Sequence, residues 1–135
     1  MRFIDTNILL YRVSTDPAEA RKRGIASDLL EATDLRLSVQ VLQEFYVQAT
    51  RPTRPKPLPH KSVIRLIQSW QRYPIVPLTV ELMEKAFETH ERWRISYWDA
   101  AIVEAARASE CEQLLTEDLQ DGQNYGGVQV VNPFL

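Results

Sequence analysis

Five short apolar segments alternate with longer amphipathic segments along this sequence, and this alternation constrains the fold more than any other feature. The short segments, predicted to be strands, are residues 2–5, 35–38, 75–76, 113–116 and 128–131. The spacing of apolar residues predicts helices over residues 6–11, 17–31, 39–49, 61–73, 79–93 and 97–109. Strands separated by helices are typical of a three-layer α/β/α fold with a mainly parallel central sheet. In such sheets, ligands bind at the carboxyl ends of the strands.

The composition suits an ordinary folded domain. With 135 residues, 44% hydrophobic and 25% charged, we expect one domain over residues 1–135 and neither a disordered nor a fibrous chain. The single Cys111 cannot form an intrachain disulfide, and no cysteine and histidine set has zinc-site spacing. Asp5 interrupts the apolar start that a signal peptide needs, and no apolar run reaches the ~18 residues of a membrane span. We therefore expect a soluble cytoplasmic protein without membrane contact.

The formal net charge of −2 conceals a basic segment inside an otherwise acidic chain. No acidic residue occurs between Glu44 and Glu81, but six lysine and arginine residues do, so the rest of the chain carries −8. Residues 51–59 hold four of the eight prolines and are predicted to form an extended connection. This surface either tracks the phosphates of a nucleic acid or is a solvated loop. Its candidate RNA contacts are Arg51, Arg54, Lys56 and Lys61.

Two acidic candidates follow predicted strands. Asp5 ends the first strand, and Asp118 lies in the loop after residues 113–116. Period-two alternation places Asp118 on the same side as Thr116 and places Glu117 on the other side. Each candidate has a structural alternative, because Asp5 could cap the following helix and the later loop could form an Asx turn. Asp121, in that same loop, is a further candidate.

Two more acidic candidates lie near the apolar sides of predicted helices. Glu44 is at the margin of such a face, where it could also be a solvated boundary residue. Asp99 shares a face with Ile102, Val103 and Ala106, so its carboxylate should be largely withdrawn from water. Its alternative is a capping box with Ser96.

Acids in these four positions can converge at one edge of a parallel sheet. Two like charges ~4 Å apart repel by about 4 kcal/mol at an effective dielectric near 20, so four carboxylates would require a cation to stay ionised. An all-oxygen cluster favours Mg²⁺ or Mn²⁺ over zinc. Such ions activate water and neutralise charge on a phosphate, which is the chemistry of metal-dependent nucleases.

Four short motifs in this sequence resemble the acidic motifs of the PIN domain family. They are Phe3-Ile4-Asp5-Thr6-Asn7-Ile8, Gln43-Glu44-Phe45, Trp98-Asp99-Ala100-Ala101-Ile102 and Leu115-Thr116-Glu117-Asp118. Their order and spacing match the family from Phe3 to Asp121. Within the family, a small chain of this kind resembles the VapC-type toxins of bacterial and archaeal toxin–antitoxin pairs.

The resemblance implies a PIN-like parallel sheet flanked by helices and an endoribonuclease that depends on Mg²⁺ or Mn²⁺. Asp5 and Asp99 would be the principal metal ligands. Glu44 and Asp118 would complete the cluster directly or through water. The positions that typically hydrogen-bond the carboxylates are Thr6, Asn7 and Thr116. Water would attack the RNA phosphodiester in line, without a covalent protein intermediate, and the implied partners are a VapB-like antitoxin and a second copy of the chain.

Two other functions stay open at this point. A PIN-like regulator could bind nucleic acid without turnover, which predicts salt-sensitive binding and no cleavage. A phosphatase or phosphoacceptor with Asp5 as its nucleophile is disfavoured, because Asp5-Thr6-Asn7 lacks a second acid two residues on. Tyr97 and Trp98 could stack on a splayed RNA base or belong to the core.

Overall fold

The chain forms six strands and six helices in nearly the predicted alternation. A computed structural model describes residues 1–135. The strands are β1 (Arg2–Ile4), β2 (Leu35–Ser38), β3 (Ile75–Val76), β4 (Gln113–Leu115), β5 (Asn124–Tyr125) and β6 (Val128–Val131). The helices are α1 (Thr6–Arg12), α2 (Ala20–Leu29), α3 (Val39–Thr50), α4 (His60–Trp70), α5 (Val80–Trp93) and α6 (Tyr97–Ala108). No helix has both the length and the apolar character needed to cross a membrane.

The strands form one sheet in the order β3-β2-β1-β4-β6-β5, and every neighbouring pair is parallel except β5 and β6. The chain runs outward from β1 to β2 and β3, and then returns through α5 and α6 to β4 on the other side of β1. Helix α1 packs on both α2 and α3, α3 packs on α4, and α5 packs on α6. Because parallel crossovers are right-handed, the two groups of helices cover opposite faces of the sheet. The predicted three-layer α/β fold is confirmed.

The two central strands, β1 and β4, each end in two apolar, buried residues, as expected of strands covered on both faces. Ile4 of β1 pairs in register with Leu115 of β4, and both side chains are buried. The backbone N–H of Asp5 donates a 3.0 Å hydrogen bond to the carbonyl of Leu115, which continues this pairing past the end of β1. The polar residues that follow the two strands, Asp5 and Thr116, are therefore brought side by side.

The helix predicted over residues 17–31 has a different start and a different end in the structure. It begins as a short 3₁₀ helix at Pro17–Glu19 and ends at Leu29. The side chain of Asp16 accepts a 2.9 Å hydrogen bond from the N–H of Ala18, but the side chain of Glu19 does not accept the N–H of Asp16. The hydroxyl of Ser14 accepts that N–H and donates to Glu19, so it takes the place of a direct capping-box bond.

Strand β5 was not predicted from the sequence. It forms a hairpin with β6 in which Asn124 pairs with Gln129 and Tyr125 with Val128. The two connecting residues, Gly126 and Gly127, both have positive φ, as a type I′ turn requires. A two-residue strand is too short to show alternation, so the pair of glycines was its only sequence signal.

Candidate active site

A strongly acidic cleft lies beside the carboxyl ends of β1 and β4. Its volume is about 340 Å³, and the acidic side chains lining it are Asp5, Glu19, Glu44, Asp99, Glu117 and Asp118. The only lysine or arginine that lines it is Arg54. The chain leaves β1 toward one side of the sheet and β4 lies on the other, and open α/β sheets bind ligands at such a switch point. The structure therefore brings all four predicted carboxylates to one cleft.

Asp5 is the most deeply buried of these carboxylates, with 5% of its surface exposed. It caps α1, and its Oδ1 accepts a 2.7 Å hydrogen bond from the backbone N–H of Thr6. Its Oδ2 accepts a 2.8 Å bond from the hydroxyl of Thr116. Helix capping and a place in the cleft, which the sequence left as alternatives for Asp5, are therefore properties of the same side chain.

The hydroxyl of Thr116 connects three groups of the cleft. Besides donating to Asp5, it accepts hydrogen bonds from Nδ2 of Asn7, at 3.1 Å, and from the backbone N–H of Asp118, at 3.0 Å. Nδ2 of Asn7 also donates to the carboxylate of Asp118 at 3.1 Å. The loop after β4 is thereby tied to the start of α1, and Asp118 is held near Asp5.

Glu44 lies in the second turn of α3 and is half-buried, at the margin of the apolar face as predicted. Ser38 caps this helix, and its hydroxyl accepts the N–H of Val41 at 3.2 Å. One carboxylate oxygen of Glu44 accepts a 2.8 Å bond from the hydroxyl of Thr6, and the other accepts a 3.0 Å bond from Nε2 of Gln40. Both oxygens of Glu44 are therefore oriented by neighbouring side chains.

Asp99 lies in the first turn of α6. The Ser96 hydroxyl caps this helix by accepting the backbone N–H of Asp99 at 3.0 Å, while the half-buried carboxylate of Asp99 lines the cleft. Helix α6 runs back toward β4, so its first turn lies at the same edge of the sheet as the ends of β1 and β4. The cap fixes the backbone that presents Asp99 to the cleft.

The carboxylates of the cleft disfavour one another's ionisation. Burial, assisted by the charges of Asp118 and Glu44, raises the pKa of Asp5 to about 7 against the opposing effect of the hydrogen bonds that Asp5 accepts. The pKa of Asp99 is also raised, first by burial and then by the same two neighbours. A cation bound among these groups would remove this mutual repulsion.

The donor chemistry of the cleft fits a hard divalent cation. Its acidic donors are all carboxylates, and Oδ1 of Asn7 is a further buried oxygen without a hydrogen-bond partner. No three histidine, cysteine, aspartate or glutamate side chains lie close enough to coordinate one ion in this arrangement. The carboxylates therefore share one cleft but do not form a closed set of ligands around a single point. Mg²⁺ typically takes one or two carboxylates and keeps several waters, so the residues present suit a hydrated ion.

Glu117 also lines the cleft, and the prediction that it faces the opposite side was wrong. Strand β4 ends at Leu115, so period-two alternation no longer applies to Glu117. Its carboxylate accepts a 2.7 Å hydrogen bond from Nζ of Lys22 and another from the hydroxyl of Tyr11. Lys22 therefore compensates the charge of Glu117, which no local sequence pattern indicated.

Asp121 does not line the cleft. Its side chain is exposed, and its Oδ1 accepts a 2.8 Å hydrogen bond from the backbone N–H of Asn132. This bond fastens the loop after β4 to the segment that follows β6. The candidate role of Asp121 in the site is therefore corrected to a structural contact.

The basic segment contributes one side chain to the cleft. Arg54 is half-buried there, while the remaining candidate RNA contacts are exposed and lie outside the cleft lining: Arg51, Lys56 and Lys61. The connection contains turns where an extended chain was predicted, and the N–H of Arg54 donates to the carbonyl of Arg51 at 3.0 Å. Pro52 occupies the second position of this turn, which its fixed φ favours. The turn carries Arg54 to the cleft.

The two aromatic residues before Asp99 differ in their surroundings. Tyr97 is half-buried and packs against the apolar core. Trp98 is 63% exposed and lines the cleft, so the core alternative does not hold for it.

These observations define a three-layer α/β protein with a carboxylate-rich cleft beside its central parallel strands. Residues 2–120 match the family model of the PIN domain. The chain belongs to the PIN domain family, and the resemblance carried by the four motifs is confirmed. No curated protein sequence matches the chain.

Several solved structures have the same fold. A toxin-antitoxin complex from Klebsiella pneumoniae aligns with a TM-score of 0.72 at 21% identity, covering 98% of each chain. FitAcB from Neisseria gonorrhoeae gives 0.67 at 20% identity, covering 99% of each chain. VapC20 from Mycobacterium tuberculosis, described as a sarcin-ricin loop cleaving toxin, gives 0.66 at 19% identity, covering 87% of this chain and 92% of that one. At these identities the likeness shows a shared fold.

Proposed function

We propose that this protein is an endoribonuclease that hydrolyses RNA phosphodiester bonds with Mg²⁺ or Mn²⁺, and that it is the toxin of a VapBC-type toxin–antitoxin pair. The observation that carries the proposal is the acidic cleft, in which segments distant in sequence bring together the four carboxylates of the motifs. These carboxylates are Asp5, Glu44, Asp99 and Asp118. The motif resemblance assigns them to the four acidic positions of the PIN family.

Asp5 and Asp99 would be the principal ligands of the cation. Burial raises the pKa of each, so a positive charge beside them gives the largest relief of unfavourable ionisation. Glu44 and Asp118 would complete the site directly or through water. A divalent ion bound here lowers the pKa of water and neutralises charge on the phosphate.

The other residues of the cleft position the carboxylates. Thr116 and the backbone of Thr6 occupy the two oxygens of Asp5, and Asn7 orients Asp118. No serine, cysteine or histidine lines the cleft. Water is therefore the proposed nucleophile, attacking the phosphodiester in line with the leaving oxygen, and no covalent protein intermediate forms.

Arg54 supplies the positive charge with which this acidic cleft would accept a phosphodiester. Arg51, Lys56 and Lys61 would contact phosphates farther along the strand. Such contacts position a nucleic acid without reading its sequence, so they support RNA binding and leave the choice of RNA to other groups.

The partners are proposed by analogy with the structural neighbours. One is a toxin-antitoxin complex and another a VapBC complex, from Rickettsia felis, bound to a promoter DNA fragment. By this fold-level analogy, a VapB-like antitoxin would bind and inhibit the protein, which would pair with a second copy of itself. The antitoxin would be encoded by a small neighbouring gene for a DNA-binding protein. Failure of that gene's product to bind and inhibit the purified protein would contradict this assignment.

The nuclease function is tested by incubating the purified protein with RNA and Mg²⁺ or Mn²⁺. We expect cleavage that is lost in EDTA and in Asp99→Asn, which keeps the side-chain shape and removes a ligand charge. Asp121→Asn is the matched control, because Asp121 lies outside the cleft and an asparagine oxygen can still accept the N–H of Asn132.

Two results would contradict the proposal in different ways. Cleavage that persists in EDTA and in Asp99→Asn would refute the assigned mechanism. Salt-sensitive RNA binding by the wild type without any cleavage would instead identify a nucleic-acid-binding regulator.

A further inference from the structure

Trp98 is the exposed tryptophan of this chain. Its side chain is 63% exposed, whereas Trp70 is 4% exposed and Trp93 is half-buried. Tryptophan is highly buried on average, so an indole left open to water in the wall of a cleft is a candidate ligand contact. Its neighbour in the chain, Asp99, lines the same cleft. A ligand seated on the carboxylates would therefore lie beside the indole.

The indole of Trp98 rests on a fixed support. Nε2 of the buried Gln40 donates to the carbonyl of Trp98 at 3.2 Å and to Glu44 at 3.0 Å, so one amide holds both the aromatic residue and a site carboxylate. The ring of Tyr97 packs against the indole with centroids 5.0 Å apart and planes at 82°. Phe87 packs against Tyr97 in turn. Because Trp98 is already positioned, ordering it on binding costs little conformational entropy.

The groups around Trp98 match the parts of a nucleotide. A nucleotide carries a flat π system close to a phosphate, and the cleft offers an indole, the cationic Arg54 and a set of carboxylates suited to a divalent ion. Stacking on an aromatic side chain accepts any base, because every base has a π face. Inside a continuous duplex, neighbouring base pairs cover both faces of each base. Stacking on Trp98 therefore requires a base outside the interior of a duplex.

We infer that Trp98 is a nucleobase platform, on which an unpaired base next to the scissile phosphodiester stacks. Stacking on Trp98 would then add affinity for an unpaired base beside the cleavage position. This inference rests on the proposed nuclease function, because that function places the phosphodiester at the carboxylates.

The test measures RNA binding and cleavage separately. Binding is followed by tryptophan fluorescence in an Asp99→Asn background with Mg²⁺, using a short single-stranded oligoadenylate and the same strand annealed to oligouridylate. We expect the single strand to quench the fluorescence and the duplex to leave it nearly unchanged. The Trp98 variants lack the reporting indole, so their affinities are measured by fluorescence anisotropy of a labelled strand, and Trp98→Ala should weaken single-strand binding by about 5- to 150-fold, the range for loss of one base–aromatic stack. Trp98→Phe should retain most of the affinity.

Leu78→Ala serves as the control for exposed apolar surface. Leu78 is 52% exposed and does not line the cleft, so its truncation should leave RNA affinity unchanged. Circular dichroism checks that each variant is folded, and light scattering gives its oligomeric state. A changed oligomeric state in Trp98→Ala with unchanged RNA affinity would assign the indole to a protein interface and overturn the inference.

The cleavage assay separates failure of this inference from failure of the proposed function. If the wild type and Trp98→Ala cleave single-stranded RNA with equal KM, the base platform is refuted and the nuclease function is retained. The same holds if both proteins cleave duplex RNA as readily as they cleave single-stranded RNA. If the wild type cleaves nothing while quenching still depends on Trp98, the nuclease function is refuted and the base contact stands.

Discussion

The hydroxyl of Thr116 donates a 2.8 Å hydrogen bond to the carboxylate of Asp5 across 111 positions of sequence. It joins the residue that follows β4 to the residue that follows β1, two strands that pair in register. A buried hydrogen bond to a charged group contributes about 1.5–3 kcal/mol, so this bond offsets part of the desolvation cost of Asp5. The central pairing of the sheet thereby determines the geometry of the cleft.

Removal of the Thr116 hydroxyl tests whether this network positions the site. Thr116→Val keeps the shape but leaves Nδ2 of Asn7 and the N–H of Asp118 without their shared acceptor and Asp5 without a donor. We expect a loss of about 1–3 kcal/mol in the free energy of unfolding. We also expect a 10- to 100-fold fall in kcat/KM for RNA cleavage, as is typical when a partner of a metal ligand is lost.

Thr116→Ser is the matched control, since it restores the hydroxyl and should recover most of the activity and stability. Urea unfolding in EDTA gives the stability, and initial cleavage rates at saturating Mg²⁺ give the activity. Equal cleavage by Thr116→Val and Thr116→Ser would show that the hydroxyl does not position Asp5.

The raised pKa of Asp5 predicts a pH dependence of stability in metal-free protein. The folded-state pKa is about 7 and the ordinary value is 3.8, so between these values the folded protein binds more protons at this site than the unfolded chain. The free energy of unfolding must therefore fall as pH rises through this window, by up to about 1.4 kcal/mol per pH unit from this group. Urea unfolding in EDTA at pH 5 and pH 8 measures the change.

Asp5→Asn removes the titrating group and should flatten this dependence. The variant should be more stable than the wild type at pH 8, where the buried charge costs the wild type most, and should lose this advantage toward pH 5. Asp121→Asn should follow the wild-type curve, because Asp121 is exposed. If wild type and Asp5→Asn had parallel pH profiles, the stability effect would not come from Asp5.

Positions relative to strand ends and helix faces sufficed to find the four carboxylates. Asp5 and Asp118 follow buried strands, and Glu44 and Asp99 lie near apolar helix faces. The local pattern of apolar residues therefore predicted the position of each acidic residue relative to its strand or helix. The register of Ile4 on Leu115 then brought the first pair together. The local sequence therefore carried most of what determines the cleft.

The supporting contacts could not be predicted in the same way. Lys22 reaches Glu117 across 95 positions and Gln40 reaches the carbonyl of Trp98 across 58, and both depend on how helices pack on the sheet. Alternation misassigned Glu117 because a three-residue strand ends before that residue. Arg54 reaches the cleft through a turn, whereas the prolines of this segment had predicted an extended connection.

A divalent cation should stabilise the folded protein, because it binds the assembled cleft and not the unfolded chain. At a concentration one hundred times Kd, the free energy of unfolding should rise by about 2.7 kcal/mol. Thermal unfolding with and without Mg²⁺ or Mn²⁺ measures this as a higher Tm. Asp99→Asn should lose most of the increase and Asp121→Asn should keep it. An equal increase in all three proteins would place the ion elsewhere.

Arg54 and Arg51 allow a matched comparison of two arginines in one basic loop. Arg54 is half-buried and lines the cleft, whereas Arg51 is exposed and does not. We expect Arg54→Gln to lower kcat/KM by tenfold or more, because a charge-assisted bond to phosphate in the cleft is partly shielded from solvent. Arg51→Gln should weaken binding only slightly at physiological salt. Each loss of a phosphate contact should also reduce the slope of log K against log salt by about 0.7 for single-stranded RNA.

Cleavage rates and salt titrations test both variants. Equal effects of the two substitutions on kcat/KM would mean that Arg54 does not contact the scissile phosphate.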